Sequence, residues 1–552
     1  MVVAARTRVN RGYGTTRALA SGRLAADKFS VAMSVSEATR PIWLTASIAS
    51  SDAVLGGSDG RLDIVAGALA EAFTVRETGR SVEVMTHLDS ADWRLLRHGI
   101  DVVSMSGSGE LLAFGRAGLA VVQSVGSPTW PALITKIADG PVRDIIAGPV
   151  GVRALIPFAA SRANVVSFAV LNEDAKTVAR VHWRDVRLDS PVERRFSASV
   201  SVDGLRGYAA EAREVERLLV EGASMSTSVG TWLDAFRAVP GIGPEGTQRF
   251  GMHRDQAADL AVADALLGYL SVLESTVEGI VDDVDTEFLH DFRVAVRRTR
   301  SVLKLLGGTL PEGLAERVGA EFRWLGDATT PTRDLDVYLL GIDDMASSLA
   351  RPDDLGAFGR HLLMRRAREH KALTQALRSR RFVNLCSSWR SELGELISAP
   401  SHENRTAAQL ADEQVHKTYR KVRRRAKAIS ADSPSEQVHA LRKTCKEMRY
   451  VLDVFQPLCD PKAYRKVVAD FKGLQDVLGE FQDGEVQANA LHVFAQEMLD
   501  AGKVDVNAMF AMGELAARFE TKQRAAREML VTHHDSYLRA RSSAHVDRLV
   551  RV

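Results

Sequence analysis

Cysteine is scarce in this chain. Cys386, Cys445 and Cys459 are the only three among 552 residues, and none forms a CxxC pair. That excludes a disulfide framework and a thiolate metal site, and it points to a reducing compartment, so the cytoplasm is the expected location. No apolar run approaches the roughly 18 residues of a spanning helix. Residues 145–160 come nearest and are broken by Arg153 and two prolines, so no membrane partner is expected. Aromatic residues make up only 6% of the chain, which weighs against a surface built to stack nucleic-acid bases. Acid is missing from the first 26 residues, where arginine is frequent. That has the character of a transit peptide, but the preferred reading is a disordered tail over 1–32, or a start placed upstream of the true one near Met33.

What the chain does have is ample apolar material and abundant charge. Hydrophobic residues reach 45% and charged residues 26%, the composition of a globular protein. Its length exceeds one ordinary core, so two domains are expected. The 72 basic and 70 acidic residues nearly cancel, so the placement of charge matters more than its sum. From about 42 to 223 the pattern is short apolar segments broken by Gly, Ser and Asp. Residues 82–85 and 179–183 read as strands, 197–202 alternate by twos, and 208–221 read as a helix. This predicts an α+β domain over 33–221. A Ser/Gly/Pro-rich stretch over 222–252 reads as a linker. From Asp255 onward the periodicity is helical, with Pro311, Pro331, Pro352, Pro434 and Pro457 as punctuation between segments.

The helical half repeats itself. His290 with Arg293, Arg297 and Arg300, and His439 with Arg442, Lys446 and Arg449, share the offsets three, seven and ten. The two histidines are 149 residues apart, as are Phe322 and Phe471, Leu325 and Leu474, Asp327 and Asp476, and Asp334 and Asp483. Two copies of one helical unit are implied, around 255–400 and 405–545 of a domain spanning 253–545. Those offsets fall within a wedge of about 80° on one helix face. Lys304 extends the first stripe, and Lys443 and Tyr450 join the second. The opposite face carries Phe292, Leu303 and Leu306 in one copy and Leu441, Leu452 and Phe455 in the other. A third helix carries His416, Arg420, Arg423 and Lys427, with Lys421, Arg424 and Arg425 beside them. Acids one turn away are scarce, so like charges stack along each face.

Cations spaced by about 5 Å suit a linear anion with closely spaced charges. Arginine is the better phosphate ligand because its fork is bidentate, and histidine adds a titratable donor. The competing reading is a set of solvated faces with snorkelling stems, which a repeat kept on both faces makes less attractive. Asp334 and Asp483 read as structural acids, a helix cap or an ion pair, in preference to ligands for a cation bridging to phosphate.

The run His290-Asp291-Phe292-Arg293 through Arg297-Arg298-Thr299-Arg300, the run Arg333-Asp334-Leu335-Asp336, the segment His439 through Arg449-Tyr450, and Leu474-Gln475-Asp476 with Asp483 together resemble the CHAD domain, the conserved histidine α-helical domain. The resemblance covers about 255–540. It implies two repeated four-helix units about a pseudo-twofold, a basic groove, and binding of polyphosphate without catalysis. By that match His290, Arg293, Arg297, Arg300, His439, Arg442, Lys446 and Arg449 take the binding role, and Arg298, Lys304, Lys443 and Tyr450, on or beside the same stripes, are expected to join them. His416, Arg420, Arg423, Arg424 and Lys427 match the family's preceding basic helix. Association with polyphosphate granules is the corresponding expectation, and neither a cofactor nor a metal is expected.

The N-terminal half resembles, more faintly, the CYTH or triphosphate tunnel domain that often precedes CHAD. Residues 86–100 look like that family's strand, turn and Leu-rich continuation, and Arg162 stands at one of its arginine positions. The resemblance implies an antiparallel β-barrel whose carboxylates hold metal for triphosphate hydrolysis or cyclisation. Departures are large: 31–37 offer one acid and no lysine, 101–105 lack the Leu-Arg-x-Arg run, and the next strand keeps only Arg116. A degenerate, catalytically inactive barrel is therefore expected. The alternatives are a metal-dependent triphosphatase or cyclase at this domain, or nucleic-acid binding by the basic helix faces. Oligomeric state is not legible.

Overall fold

The computed structural model describes residues 41–46, 58–115, 120–126, 128–196, 198–223, 225–226, 239, 242–243, 252–401, 403–430, 432–503, 505–537 and 544–550. The expected tail over 1–32, the 31–37 segment and Arg116 lie outside them, as does most of the 222–252 linker. The chain divides into two compact units, 1–247 and 248–552.

The first unit is an antiparallel sheet with helices against it. Its strands are β1 (Pro41–Ala46), β2 (Thr74–Asp89), β3 (Ile100–Met105), β4 (Glu110–Gly115), β5 (Ala120–Ser124), β6 (Ala132–Leu133), β7 (Ala154–Leu171), β8 (Thr177–Ser190), β9 (Arg194–Arg195), β10 (Ser199–Gly204) and β11 (Met225–Ser226). The order is β11-β1-β10-β8-β7-β2-β3-β4-β5, with β6 on β7 and β9 on β8. Its helices are α1 (Ser58–Ala70), α2 (Arg94–Arg97), α3 (Pro141–Val150) and α4 (Ala209–Glu221). Alternation along β7 explains the two faces. Val166, Phe168 and Val170 pack with Leu62, Val65 and Leu69 of α1 and Val215 and Leu219 of α4. Ala159, Ala163 and Val165 join a second cluster with Phe114, Val186 and Leu188.

The expected barrel is corrected here: among the described residues the sheet is open, with β5 and β11 at its two ends and no pairing between them. One apolar face is covered by α1 and α4, so burial there comes from helix on sheet.

The second unit is helical: α5 (Ala258–Val281), α6 (Thr286–Leu306), α7 (Leu314–Ser347), α8 (Gly356–Leu377), α9 (Arg380–Ser398), α10 (Ala407–Lys427), α11 (Ser435–Phe455), α12 (Pro461–Asp500) and α13 (Val506–Tyr537). The 149-residue register is kept to the residue in α6 and α11, and in the 3-10 turns Gly307–Thr309 and Gln456–Leu458 that follow them. Four helices recur. The first copy adds a break at Ser379, whose hydroxyl accepts the Phe382 amide at 3.3 Å and starts α9, where α13 runs on unbroken. The copies meet reciprocally: the Ala258 amide donates to the Arg405 carbonyl (3.0 Å) and the Ala407 amide to the Gln256 carbonyl (2.7 Å). Both donors and both acceptors are 149 apart, the signature of a twofold contact.

Two readings from the sequence are corrected in this unit. Pro331 lies inside α7, not between helices. Its absent amide leaves the Asp327 carbonyl without its helix donor, one residue after the Gly326 carbonyl, to which the Thr330 hydroxyl donates (2.8 Å). α5 is also long and apolar enough to cross a membrane by length and composition, although 56% of its most apolar window is buried within the protein. Ala, Leu and Val on several sides of a central helix produce that composition without a bilayer.

Candidate anion site

α6 starts where the Asp285 carboxylate accepts the amides of Glu287 (2.8 Å) and Phe288 (3.2 Å), a standard N-cap. Phe292, Leu303 and Leu306, and in α11 Leu441, Leu452 and Phe455, are all buried. Burial of those six fixes the rotation of both helices and turns the cationic wedge away from the core.

Along that wedge the side chains divide into anchored and unanswered groups. His290 Nδ1 lies 3.0 Å from Arg333 Nη2, and Arg333 also donates to the Thr286 carbonyl (3.0 Å) and lies 3.7 Å from Glu287. Arg293 reaches α7, donating from Nη1 to the Gly326 carbonyl (3.2 Å) and to the Thr329 and Thr330 hydroxyls (2.9 Å each). Its buried Nε has no hydrogen-bond partner. Burial pushes this guanidinium down to about 10, aided by the fields of Arg297, Arg333 and Arg300 and opposed by Asp334. Arg297 and Arg300 are exposed and have no acidic partner among the described residues. Arg300 lies over Gly326, where an added Cβ would stand 2.8 Å from its Nη1.

In α11, His439 Nε2 stands 3.0 Å from Glu485, and Arg442 is 3.8 Å from Asp483. Lys443, Tyr450 and Lys446 make no hydrogen bond and no ion pair within 4 Å among the described residues. Desolvation lowers the Lys446 ammonium to about 8, helped by the positive fields of Arg442, Arg297 and Arg449 and resisted by Asp483. Arg297 belongs to the first copy and Lys446 is its 149-residue equivalent. The two stripes therefore share one electrostatic neighbourhood, as the packing of α6 on α11 requires.

Arg298 and Lys304 have a different place from their stripe neighbours. Arg298 lies 3.5 Å from Asp453 and over the Tyr269 ring at 5.8 Å, and Lys304 pairs with Glu447 at 2.6 Å. Glu447 is the 149-residue equivalent of Arg298, and Asp453 that of Lys304. The two ion pairs are thus one contact used twice across the twofold, with cations in the first copy and acids in the second. Arg449, mostly exposed, lies 4.0 Å from the same Asp453.

The third basic helix, α10, is only partly aimed at this place. Lys421 pairs with Glu447 at 2.8 Å, and Arg425 donates to the Ala440 carbonyl at 2.7 Å and to the Thr444 hydroxyl. These two residues, beside the expected stripe, are the ones that face α11. His416 instead lies between Asp412 (3.3 Å) and Asp547 (3.2 Å), and its pKa is raised: its bonds to Asp412 and Asp547 outweigh the desolvation that opposes them. Arg423 lies over the Tyr419 ring at 5.8 Å, and Arg420 makes a long bond (3.4 Å) to the His416 carbonyl. Arg424 and Lys427 are exposed with no partner among the described residues. The stripe is absent from the equivalent helix α5, where Glu274 and Glu278 occupy the positions of Arg423 and Lys427.

Asp334 and Asp483 sit within α7 and α12, not at helix starts. Burial raises both carboxyls above their ordinary range; Arg293 and Arg333 pull Asp334 back, and Arg442 and Lys446 pull Asp483 back. Asp483 lies 3.8 Å from Arg442, and Asp334 acts on Arg293 and Arg333 through its charge. Among the described residues no cluster of three or more His, Cys, Asp or Glu side chains could hold a metal ion. Arg333, Thr329, Thr330 and Glu447 are the participants that stripe spacing does not find, because they lie on other helices or carry the opposite charge.

In the first unit, the polar groups of the sheet answer one another. Arg184 makes two bonds to Glu83 (2.9 and 3.2 Å) and one to Ser201 (2.7 Å), and Arg162 makes two to Asp189 (2.9 Å each). The 86–96 segment is structural: the Asp89 carboxylate accepts the amides of Ser90 (2.6 Å), Leu95 (2.9 Å) and Leu96 (2.9 Å) and so holds α2.

Four helices repeated 149 residues on, with basic side chains along one face of α6 and α11, define a duplicated all-helical domain. Residues 264–492 match the family model of the CHAD domain, and the chain carries such a domain there. Two solved structures are similar to this chain. The CHAD domain from the plant Ricinus communis shows 25% identity and a TM-score of 0.46, covering 53% of this chain and 96% of its own. PptA from Streptomyces chartreusis shows 16% identity and a TM-score of 0.39, covering 51% and 100%. No curated protein matches the chain.

Proposed function

We propose that the protein binds inorganic polyphosphate, a long linear polyanion, through α6 and α11 without transforming it, in the cytoplasm and at polyphosphate granules. One observation carries this reading. Arg297 and Arg300 of the first copy and Lys446 of the second are exposed cations with no ion pair among the described residues, and they are close enough that Arg297 helps to drive Lys446 down to about 8 against the field of Asp483. Stacking like charge has a cost that an anion threaded between the stripes would relieve. His290, Arg293, His439 and Arg442 would flank it as a half-buried second rank, and Arg424 and Lys427 of α10 would extend it. Arg298, Lys304 and His416 serve structure in this reading: Arg298 and Lys304 tie α6 to α11 through Asp453 and Glu447, and His416 is held by Asp412 and Asp547.

The test is a titration of long-chain polyphosphate into the full chain at two salt concentrations, beside an Arg297→Ala/Arg300→Ala/Lys446→Ala/Arg449→Ala variant checked for folding by circular dichroism. Tight binding that falls steeply with salt, at roughly 0.7 to 0.9 log units per log unit of salt for each phosphate contact, and that drops at least 100-fold in the variant, is the expected result. Unchanged binding in the variant would remove the anion from the stripes. Single-stranded RNA in parallel distinguishes the nucleic-acid alternative, which predicts equal competition.

A further inference from the structure

The duplication places the same notch twice, after the 3-10 turn and against the first turns of the next long helix. In the first copy it is lined by Pro311, Gly313 and Arg317 and roofed by Glu392 and Glu395 of α9, with Arg317 bound to Glu392 at 2.8 Å. In the second copy, Asp460, Lys462 and Lys466 stand at the positions of Pro311, Gly313 and Arg317, 149 residues on. The roof there is the 544–550 segment, held down by the Asp460 amide donating to the Leu549 carbonyl (3.0 Å), and it contributes His545 and Arg548. This second notch encloses about 580 Å³, and Arg254 lines it from a third side.

Its charge is the reverse of its twin's. Lys462, Lys466 and Arg548 are exposed, with no acidic partner among the described residues. Arg254 donates only to the Leu458 carbonyl (2.9 Å), and His545 Nδ1 is taken by Asp470 at 2.9 Å. The acid in the lining, Asp460, is already committed to capping α12 through the Ala463 amide at 2.7 Å. Four permanent cations around one carboxylate, with Leu458, Leu549 and Pro457 as apolar wall, line a notch within the size range of small-ligand pockets.

We propose that this notch is a second, separate anion site, which takes one small molecule bearing two or three linked phosphates. Lysine ammoniums and the Arg548 fork hold the phosphates, and the leucine wall accommodates whatever organic group they carry. The roof and the volume of about 580 Å³ suit a small molecule. The copy-one notch is the internal comparison: the equivalent turn and helix start, under an acidic roof from α9.

The experiment is isothermal titration of pyrophosphate and, separately, ATP into the full-length protein, in the background of the four-residue stripe variant. One site per chain is expected there, weakened at least tenfold by adding Lys462→Ala/Lys466→Ala/Arg548→Ala. Conversely, the three notch substitutions in the otherwise wild-type protein should leave long-chain polyphosphate affinity within about twofold. Circular dichroism and thermal midpoints verify that each variant folds, and Lys462→Ala alone, at an exposed position, guards against loss of structure. Equal binding of pyrophosphate and ATP assigns recognition to the phosphates; tighter ATP assigns part of it to the apolar wall. Absence of a site in the stripe variant, or a site indifferent to the notch substitutions, overturns the proposal whatever long-chain polyphosphate does, and loss of polyphosphate binding by the stripe variant bears only on the stripes.

Discussion

Lys446 has an ammonium depressed to about 8 by desolvation and by neighbouring cations. An anion bound between the stripes favours the protonated form, so it must raise that pKa again. The sign follows: affinity is full below pH 8 and declines as pH rises through 8, by up to about tenfold per pH unit for one proton. Polyphosphate dissociation constants measured from pH 7 to 9.5 should show this loss, and Lys446→Arg should flatten it, because arginine stays charged. A flat wild-type profile would place the ligand away from Lys446. The first unit contains a comparable pair. His87, buried with Nε2 at 2.8 Å from the Ser161 hydroxyl, is pushed down to about 3 by desolvation, and Asp89, also buried, is pushed up to about 6. A lowered histidine contributes stability above its unfolded value of 6.5, lost as pH falls; a raised carboxyl costs stability above 6, relieved as pH falls. Between pH 6 and 4 the two oppose. Urea unfolding of wild type and His87→Gln at pH 4, 5 and 6 should therefore show the difference between them changing by roughly 1 kcal/mol per pH unit, with the wild type losing ground in acid. Parallel curves would mean that His87 is not held neutral.

At the scale of elements, the crossing of α6 and α11 is closed by two ion pairs that are equivalents of each other. Arg298 faces Asp453 and Lys304 faces Glu447, and both acids are less exposed than their partners. Removing one partner leaves a half-buried charge, so Arg298→Ala and Asp453→Ala are each expected to lower stability by about 1 kcal/mol. The exchange Arg298→Asp/Asp453→Arg should recover about half of the loss, given Arg298's partial exposure and the 3.5 Å separation. Thermal denaturation of the three variants measures this, and a purely additive double variant would show that the pair does not couple. Polyphosphate affinity should be nearly unaffected by Arg298→Ala, in contrast to Arg297→Ala one position earlier. Much of this was legible. The 3.6-residue periodicity and the 149-residue register located α6, α7, α11 and α12, because burial on one face leaves a repeating apolar record. Pro331 was read as a break since its missing amide costs a helix bond; one lost bond, at the Asp327 carbonyl, does not interrupt a helix anchored on both sides by buried Leu325, Thr329, Thr332 and Leu335. α9 was not legible, since a short break at Ser379 carries the same composition as a continuous helix.

On the scale of the whole molecule, the two units are built by opposite means, helices packed on helices in one and helices packed on a sheet in the other. In the sheet, Glu83, Asp185 and Asp189 each face an arginine, at 2.9, 2.7 and 2.9 Å. A carboxylate engaged by a guanidinium has few lone pairs left for a divalent cation. Triphosphate incubated with the full chain and Mg²⁺ or Mn²⁺ is accordingly expected to release no phosphate above background. Metal-dependent release abolished by Glu83→Gln would instead make the sheet an active site. Open-sheet topology was beyond the reach of sequence, because strand alternation reports which residues are buried but not whether the last strand returns to the first. What the sequence determined by itself is the repeat, the amphipathic faces and the CHAD resemblance, all of which depend on spacing along one helix. Which cations are answered was decided only in three dimensions. Arg297 and Arg298 are adjacent in the chain, but 100° of helix rotation sends one toward Asp453 and leaves the other unanswered beside Lys446, and the acids that make the difference come from helices more than a hundred residues away.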